Sequence, residues 1–218
     1  MGFRSGFVIS SVSFLFGVIF IASIYDFPML FYSPLEPSSV EAAEKFYLSM
    51  FNGPTAIPAL LHGMVALGLI GLIAKLHRWT EMAKYFDGGS LVLFMGAVCM
   101  YGGVTIPNIK LLNDPTNESL ISRSALQTQR EAQASLFTSS EGKAQPPPTG
   151  PMTPDERVST IRILGATNVI CVALLAGVVI LQVSEWWMER SEKLEAEQRR
   201  QKAAAALSKV GAESKKDQ

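Results

Sequence analysis

Four runs without a charged side chain, residues 7–25, 55–74, 89–109 and 163–183, leave this chain few ways to fold. About 20 consecutive apolar residues are what a helix needs to cross the hydrocarbon core of a bilayer. Backbone groups in lipid must find their partners within the segment, so each run is expected to be a membrane-spanning helix. The expected fold is therefore an all-α polytopic membrane protein. Residues 1–183 form its four-span membrane domain, and residues 184–218 form a charged, partly helical tail.

Composition agrees: 48% of residues are hydrophobic and 17% are charged, against about a quarter charged in soluble domains. Basic and acidic residues balance at 19 each and are interspersed, which excludes a nucleic-acid surface. Arg4 precedes the first run as in a signal peptide. The run is longer than an h-region, however, and no A-x-A-like cleavage site follows it, so it is expected to be retained.

Direction follows from the short connections, where excess Lys and Arg mark the cytosolic side. Lys75, Arg78 and Lys84 lie between the second and third runs, whereas Asp26, Glu36, Glu41 and Glu44 accompany a single Lys45 between the first and second. Both termini are thus expected in the cytosol, with loops 26–54 and 110–162 in the lumen. This places 12 of the 19 Lys and Arg residues on the cytosolic side.

The loops carry local signals. Ser38 with Glu41 reads as a capping box, and Val40, Ala43, Tyr47 and Met50 recur at helical spacing, so a surface helix is expected there. Pro54 should end it. The sequence Asn-Glu-Ser at 117–119 makes Asn117 a candidate glycan acceptor if that loop is lumenal. A surface helix is expected over residues 119–137, then an extended linker where Pro146, Pro147 and Pro148 exclude helix. Trp186 and Trp187 mark a membrane interface, and the order Glu189/Lys193 and Glu195/Arg199 favours a solvated helix beyond it.

Residues suited to chemistry are few. Cys99 and Cys171 read as small packing residues with no partner at metal spacing, and no paired carboxylates, activated nucleophile or phosphate loop is present. No catalytic, metal or cofactor site is expected. Within the spans, His62, Thr105, Asn108 and Asn168 are the candidate intramembrane polar contacts. Small residues four apart, Ser13/Gly17, Ala59/Gly63, Cys99/Gly103 and Ala173/Gly177, allow close helix approach, within the bundle or with a helix of another protein. Asp26 reads as a span boundary reached by water, with a pair to Arg162 as the alternative. Lys215 and Lys216, fourth and third from the end, match a dilysine retrieval address.

These features resemble the fungal ER membrane chaperones specific for amino-acid permeases. The residues that carry the resemblance are "YDFPMLFY" after the first span, a short acidic loop, "LVLFMGAVCMYGGVTIPNIKLL" as third span, a long connection and a charged tail. It is strongest over residues 1–112. It places the family's motif on Tyr25, Asp26, Pro28, Leu30 and Phe31; Met29 and Phe31 depart from its Y-D-x-P-L-L pattern. The resemblance implies an ER-resident, non-catalytic protein that keeps amino-acid permeases from aggregating and presents them, through its tail, to vesicle coat proteins. From the residues alone, an accessory subunit or small carrier, with His62, Asn108 and Asn168 lining a polar path, stays open, and a membrane enzyme ranks behind it.

Overall fold

A computed structural model describes residues 3–77, 81–141 and 150–214, and every described element is helical. Among the described residues, four helices are long and apolar enough to cross a membrane, one for each uncharged run. The first, α1 (Phe3–Phe31), runs on past Tyr25 through Asp26 and Pro28. Pro28 has no N–H to give the Ile24 carbonyl, so one bond of the ladder is missing, but it stands one turn from the helix end and little helix lies beyond the break.

The chain then folds back as α2 (Pro37–Phe51). Proline suits the first helical position because its missing N–H would have had no partner. Glu36 is the capping residue, without a side-chain bond. The expected Ser38 capping box does not form, because the helix starts two residues earlier than the box requires and Ser38 falls inside its first turn. A capping box does form elsewhere. Glu156 accepts from the Thr153 N–H at 2.8 Å, and the Glu156 N–H donates to Thr153 Oγ1 at 3.4 Å.

The second span is α3 (Ala56–Leu76). The third begins as α4 (Glu81–Met100), widens into a π-helical turn over Tyr101–Thr105, and continues as α5 (Ile106–Asn113). Pro107 explains the widening: its ring would clash with the carbonyl four residues back, and an extra residue in the turn relieves that crowding. Two surface helices follow, α6 (Glu118–Ile121) and α7 (Ala125–Glu141). The last helix, α8 (Pro154–Ser214), continues unbroken for 61 residues, and Asp155 and Glu156 in its first turn complement the helix dipole. Beyond the apolar part, Glu189 faces Lys193 at 4.0 Å and Glu195 faces Arg199 at 3.7 Å, in the expected i,i+4 order.

Packing runs around a ring: α1 against α3, α3 against α4, α4 against α8, and α8 back against α1. Close approach is concentrated toward the end of the bundle that carries the chain termini. There a Cβ on Gly68 would lie 2.5 Å from Ser11 Oγ and 2.7 Å from Phe94. Glycine at 68 lets Ser11 Oγ reach the Met64 carbonyl at 2.7 Å. Of the four small-residue pairs, Gly177 alone meets a neighbour tightly, the Leu93 side chain, while Gly17, Gly63 and Gly103 face open space.

One apolar core joins Val8, Val12, Leu72, Phe94, Leu175 and Val178. A second lies at the opposite end, where Met29, Tyr47, Leu112, Ile161 and Leu164 pack beneath α2. Two polar contacts pin α2 in place: Arg157 to Glu44 at 2.9 Å and Asn52 to Asn113 at 2.7 Å. The outer surface carries large apolar side chains such as Phe20, Ile24, Ile70, Val92 and Ile180. This is the face that a chain with hydrocarbon as its solvent turns outward.

Candidate functional site

Asp26 is buried, with 3% of its surface exposed. The expectation that water reaches it fails because α2 folds over this end of α1 and covers it. Gly165 on α8 makes the room, since a Cβ there would stand 3.2 Å from that of Asp26. Tyr47 Oη donates to one carboxylate oxygen at 2.6 Å, and Asn168 Nδ2 donates to the other at 2.8 Å and to Tyr47 Oη at 2.9 Å. Burial, together with the carboxylate charge of Asp26, holds the Tyr47 phenol well above its ordinary range, so it stays a donor. The three side chains form a closed set tying α1, α2 and α8.

Arg162 does not pair with Asp26. Its Nε donates to the Met29 carbonyl at 3.1 Å, one of the last carbonyls of α1, which have no partner within the helix. The other motif residues flank this corner. Tyr25 stacks on Phe46 with ring centroids 4.3 Å apart, Pro28 and Leu30 are half-buried, and Phe31 is exposed.

Next to the Asp26 set lies a cavity of about 290 Å³ between the four spans, with α2 across one end. Its walls are largely apolar: Leu15 from α1, Met50 from α2, Leu61 from α3, Ala97 from α4 and Cys171 from α8. His62, Thr105 and Asn168 all reach it, so three of the four polar candidates come together. Asn108 does not: it is buried, and its amide donates to the Val104 carbonyl at 2.8 Å. His62 Nδ1 lies 2.5 Å from the Pro58 carbonyl, and its ring meets that of Tyr101 edge-on at 5.8 Å. A carbonyl accepts only, so Nδ1 carries the hydrogen and Nε2 of the neutral ring keeps a lone pair. An apolar chamber with sparse polar groups suits recognition of an apolar ligand. Among the described residues no group of three His, Cys, Asp or Glu side chains is placed to hold a metal ion.

The family described as ER membrane protein SH3, the SHR3 chaperones, matches residues 1–218. This chain belongs to that family. The match runs through the third loop and the tail, beyond residues 1–112 where the sequence resemblance was strongest. No curated protein and no solved structure matched the chain. SHR3-family proteins are ER membrane chaperones for permease export, and the family is one of chaperones, not enzymes.

This SHR3-family chain also contains a buried charged cluster that sequence reasoning missed. Lys75, treated above as a loop charge, is 2% exposed. Its ammonium contacts Asp87 Oδ1 at 2.9 Å, Gln182 Oε1 at 2.6 Å and Glu185 Oε2. Gln182 Nε2 in turn donates to Asp87 Oδ1 and Ser90 Oγ, each at 3.1 Å. Asp87 Oδ2 has no hydrogen-bond partner among the described residues. The signal was available: Lys75, Asp87 and Glu185 each stand within two residues of the end of an uncharged run, at the same level of three spans. Those charges were taken to delimit the runs, when they join them.

Asn117 caps α6, its Oδ1 accepting from the Ser119 N–H at 3.1 Å and the Ser119 hydroxyl at 2.7 Å. If the loop is lumenal and the acceptor is used before it folds, deglycosylation lowers the apparent mass and Asn117→Gln removes that shift. A glycan that persists in the Gln variant rules Asn117 out as its site. Lys215 and Lys216 lie outside the described residues.

Proposed function

We propose that this protein shields the transmembrane segments of newly made amino-acid permeases in the ER membrane and presents them to transport vesicles. The observation that carries the reading is the largely apolar cavity between the spans. α3 packs on α1 and α4, yet Gly63 on α3 and Gly102 and Gly103 on the π turn face open space. A helix from another protein can therefore approach closely there.

An unfinished transporter exposes polar groups and interrupted helices that later segments will cover, each costly to leave facing lipid. An apolar chamber flanked by small residues covers them transiently, because van der Waals packing without strong ion pairs is reversible. In this reading both termini are cytosolic, loops 26–54 and 110–162 are lumenal, the tail of residues 184–218 meets vesicle coat proteins, and Lys215 and Lys216 return the protein to the ER. The apolar lining and the diversion of Asn108 to Val104 speak against a polar path for a carrier.

Deleting the protein and locating several amino-acid permeases tests the proposal. The expected result is retention of those permeases in the ER while unrelated membrane cargo leaves normally. Normal permease delivery would sink it.

A further inference from the structure

We infer that the cavity selects client helices by a polar group: its occupant is a transmembrane helix that presents a bulky apolar side chain and, within a turn of it, a hydrogen-bonding group its own chain has not yet satisfied. The inference rests on the chaperone reading above and names what that site recognises.

Three polar groups at the cavity have no hydrogen-bond partner among the described residues. They are Nε2 of His62 and the hydroxyls of Tyr101 and Thr105. Thr105 is 8% exposed, so its hydroxyl sits inside the chamber, whereas the His62 ring is exposed at its side. The other polar groups of the lining, Tyr47 and Asn168, are already engaged with Asp26. An unpaired polar group bordering hydrocarbon is unfavourable, and an acyl chain offers it nothing. A helix that brings a hydroxyl, an amide or a free backbone group satisfies it. Nε2 accepts, and the two hydroxyls both donate and accept, so the set can meet donors and acceptors alike.

Local structure puts these groups together. The π turn begins at Tyr101 and ends at Thr105, so the two stand about one turn apart on the same side of the span, both reaching the cavity. Gly102 and Gly103 between them leave open space for an approaching backbone. The volume, about 290 Å³, is about twice that of an engineered apolar cavity of about 150 Å³ that holds benzene. It therefore has room for an aromatic or large aliphatic side chain beside the polar group.

The test uses the full chain in lipid nanodiscs with a photo-crosslinking amino acid in place of Ile57, which lies at the cavity and is partly exposed. Two single-span peptides serve as probes, one of leucine and alanine, the other the same helix with phenylalanine, asparagine and serine at its centre. Capture of the polar peptide is expected to exceed that of the apolar one by about tenfold, the scale of two or three hydrogen bonds between membrane helices. His62→Leu, Tyr101→Phe and Thr105→Val combined should abolish the preference, so that the polar peptide is captured no better than the apolar one. Ala97→Trp, which fills the chamber, should abolish capture of both. If the triple variant does not melt like the parent, Tyr101→Phe and Thr105→Val singly should each lower the preference. A preference that survives these changes overturns the inference and leaves the chaperone reading standing. Cross-linking to acyl chains with neither peptide captured overturns it as well, since the cavity is then a lipid site. Failure of the chaperone reading shows separately, as normal permease delivery without the protein.

Discussion

Lys75→Met should destabilise the folded bundle by about 3–5 kcal/mol, because removing one partner of a buried ion pair strands the other charges. Here two carboxylates would be stranded, Asp87 with no surface exposed and Glu185 with 6%. Combining Lys75→Met with Asp87→Asn and Glu185→Gln should recover most of that loss. The triple variant buries no charge, and Gln182 keeps the side-chain oxygen at position 87 and Ser90 as acceptors. Thermal unfolding of the detergent-solubilised protein, followed by loss of the monodisperse peak, measures both. If Lys75→Met melts with the parent, the cluster does not hold α3, α4 and α8 together. If the triple variant is no better than the single one, the loss comes from packing and not from unpaired charge.

The Asp26 corner allows a sharper test, because its three side chains can be permuted. Asp26→Leu leaves the Tyr47 hydroxyl without an acceptor and takes one of the two acceptors of the Asn168 amide, which keeps Tyr47 Oη, and at about 1–3 kcal/mol for each buried unsatisfied group the loss should be about 2–4 kcal/mol. Asp26→Asn should cost less, about 1 kcal/mol, since one hydrogen bond of the set is lost whichever way the amides turn. Adding Asn168→Asp to Asp26→Asn moves the carboxylate to α8, where it accepts from the new amide on α1 and from Tyr47. The double variant is therefore expected to be more stable than Asp26→Asn alone. Simple addition of the two single losses would mean that Asp26 and Asn168 do not act as a pair.

The same two sites show what sequence could and could not disclose. The spans were legible because lipid imposes a rule that needs no partner: a long run without charge must satisfy its own backbone. The Asp26 set breaks no such rule. Its members lie 21 and 142 residues apart along the chain, and an acid followed by proline reads locally as a span end. Only the return of α2 over α1 turns it into a buried acceptor. Lys75, Asp87 and Glu185 were misplaced for the opposite reason: each alone looks like a boundary charge, and their mutual neutralisation exists only when three helices bring them to one level. The capping signal was assigned to Ser38 when the bonds form at Thr153, because the Pro37 start outcompetes a serine that falls within the first turn. His62, Thr105 and Asn168 were identified as residue types. That His62 Nε2 and the Thr105 and Tyr101 hydroxyls lack partners among the described residues at one chamber depends on how the second and third spans pack, which sequence periodicity does not reveal.

One consequence of α8 being a single helix is mechanical. Asn168, on the chamber wall, and Arg199, in the charged extension, belong to the same rod and are about 46 Å apart at 1.5 Å per residue. If the charged cluster acts as a fulcrum between them, a tilt of about 10° displaces Arg199 by several ångströms. Occupation of the chamber and the position of the charges on the extension would then not be independent events. Such a rod would act as a lever, carrying a movement at one end to the other without any segment having to unfold.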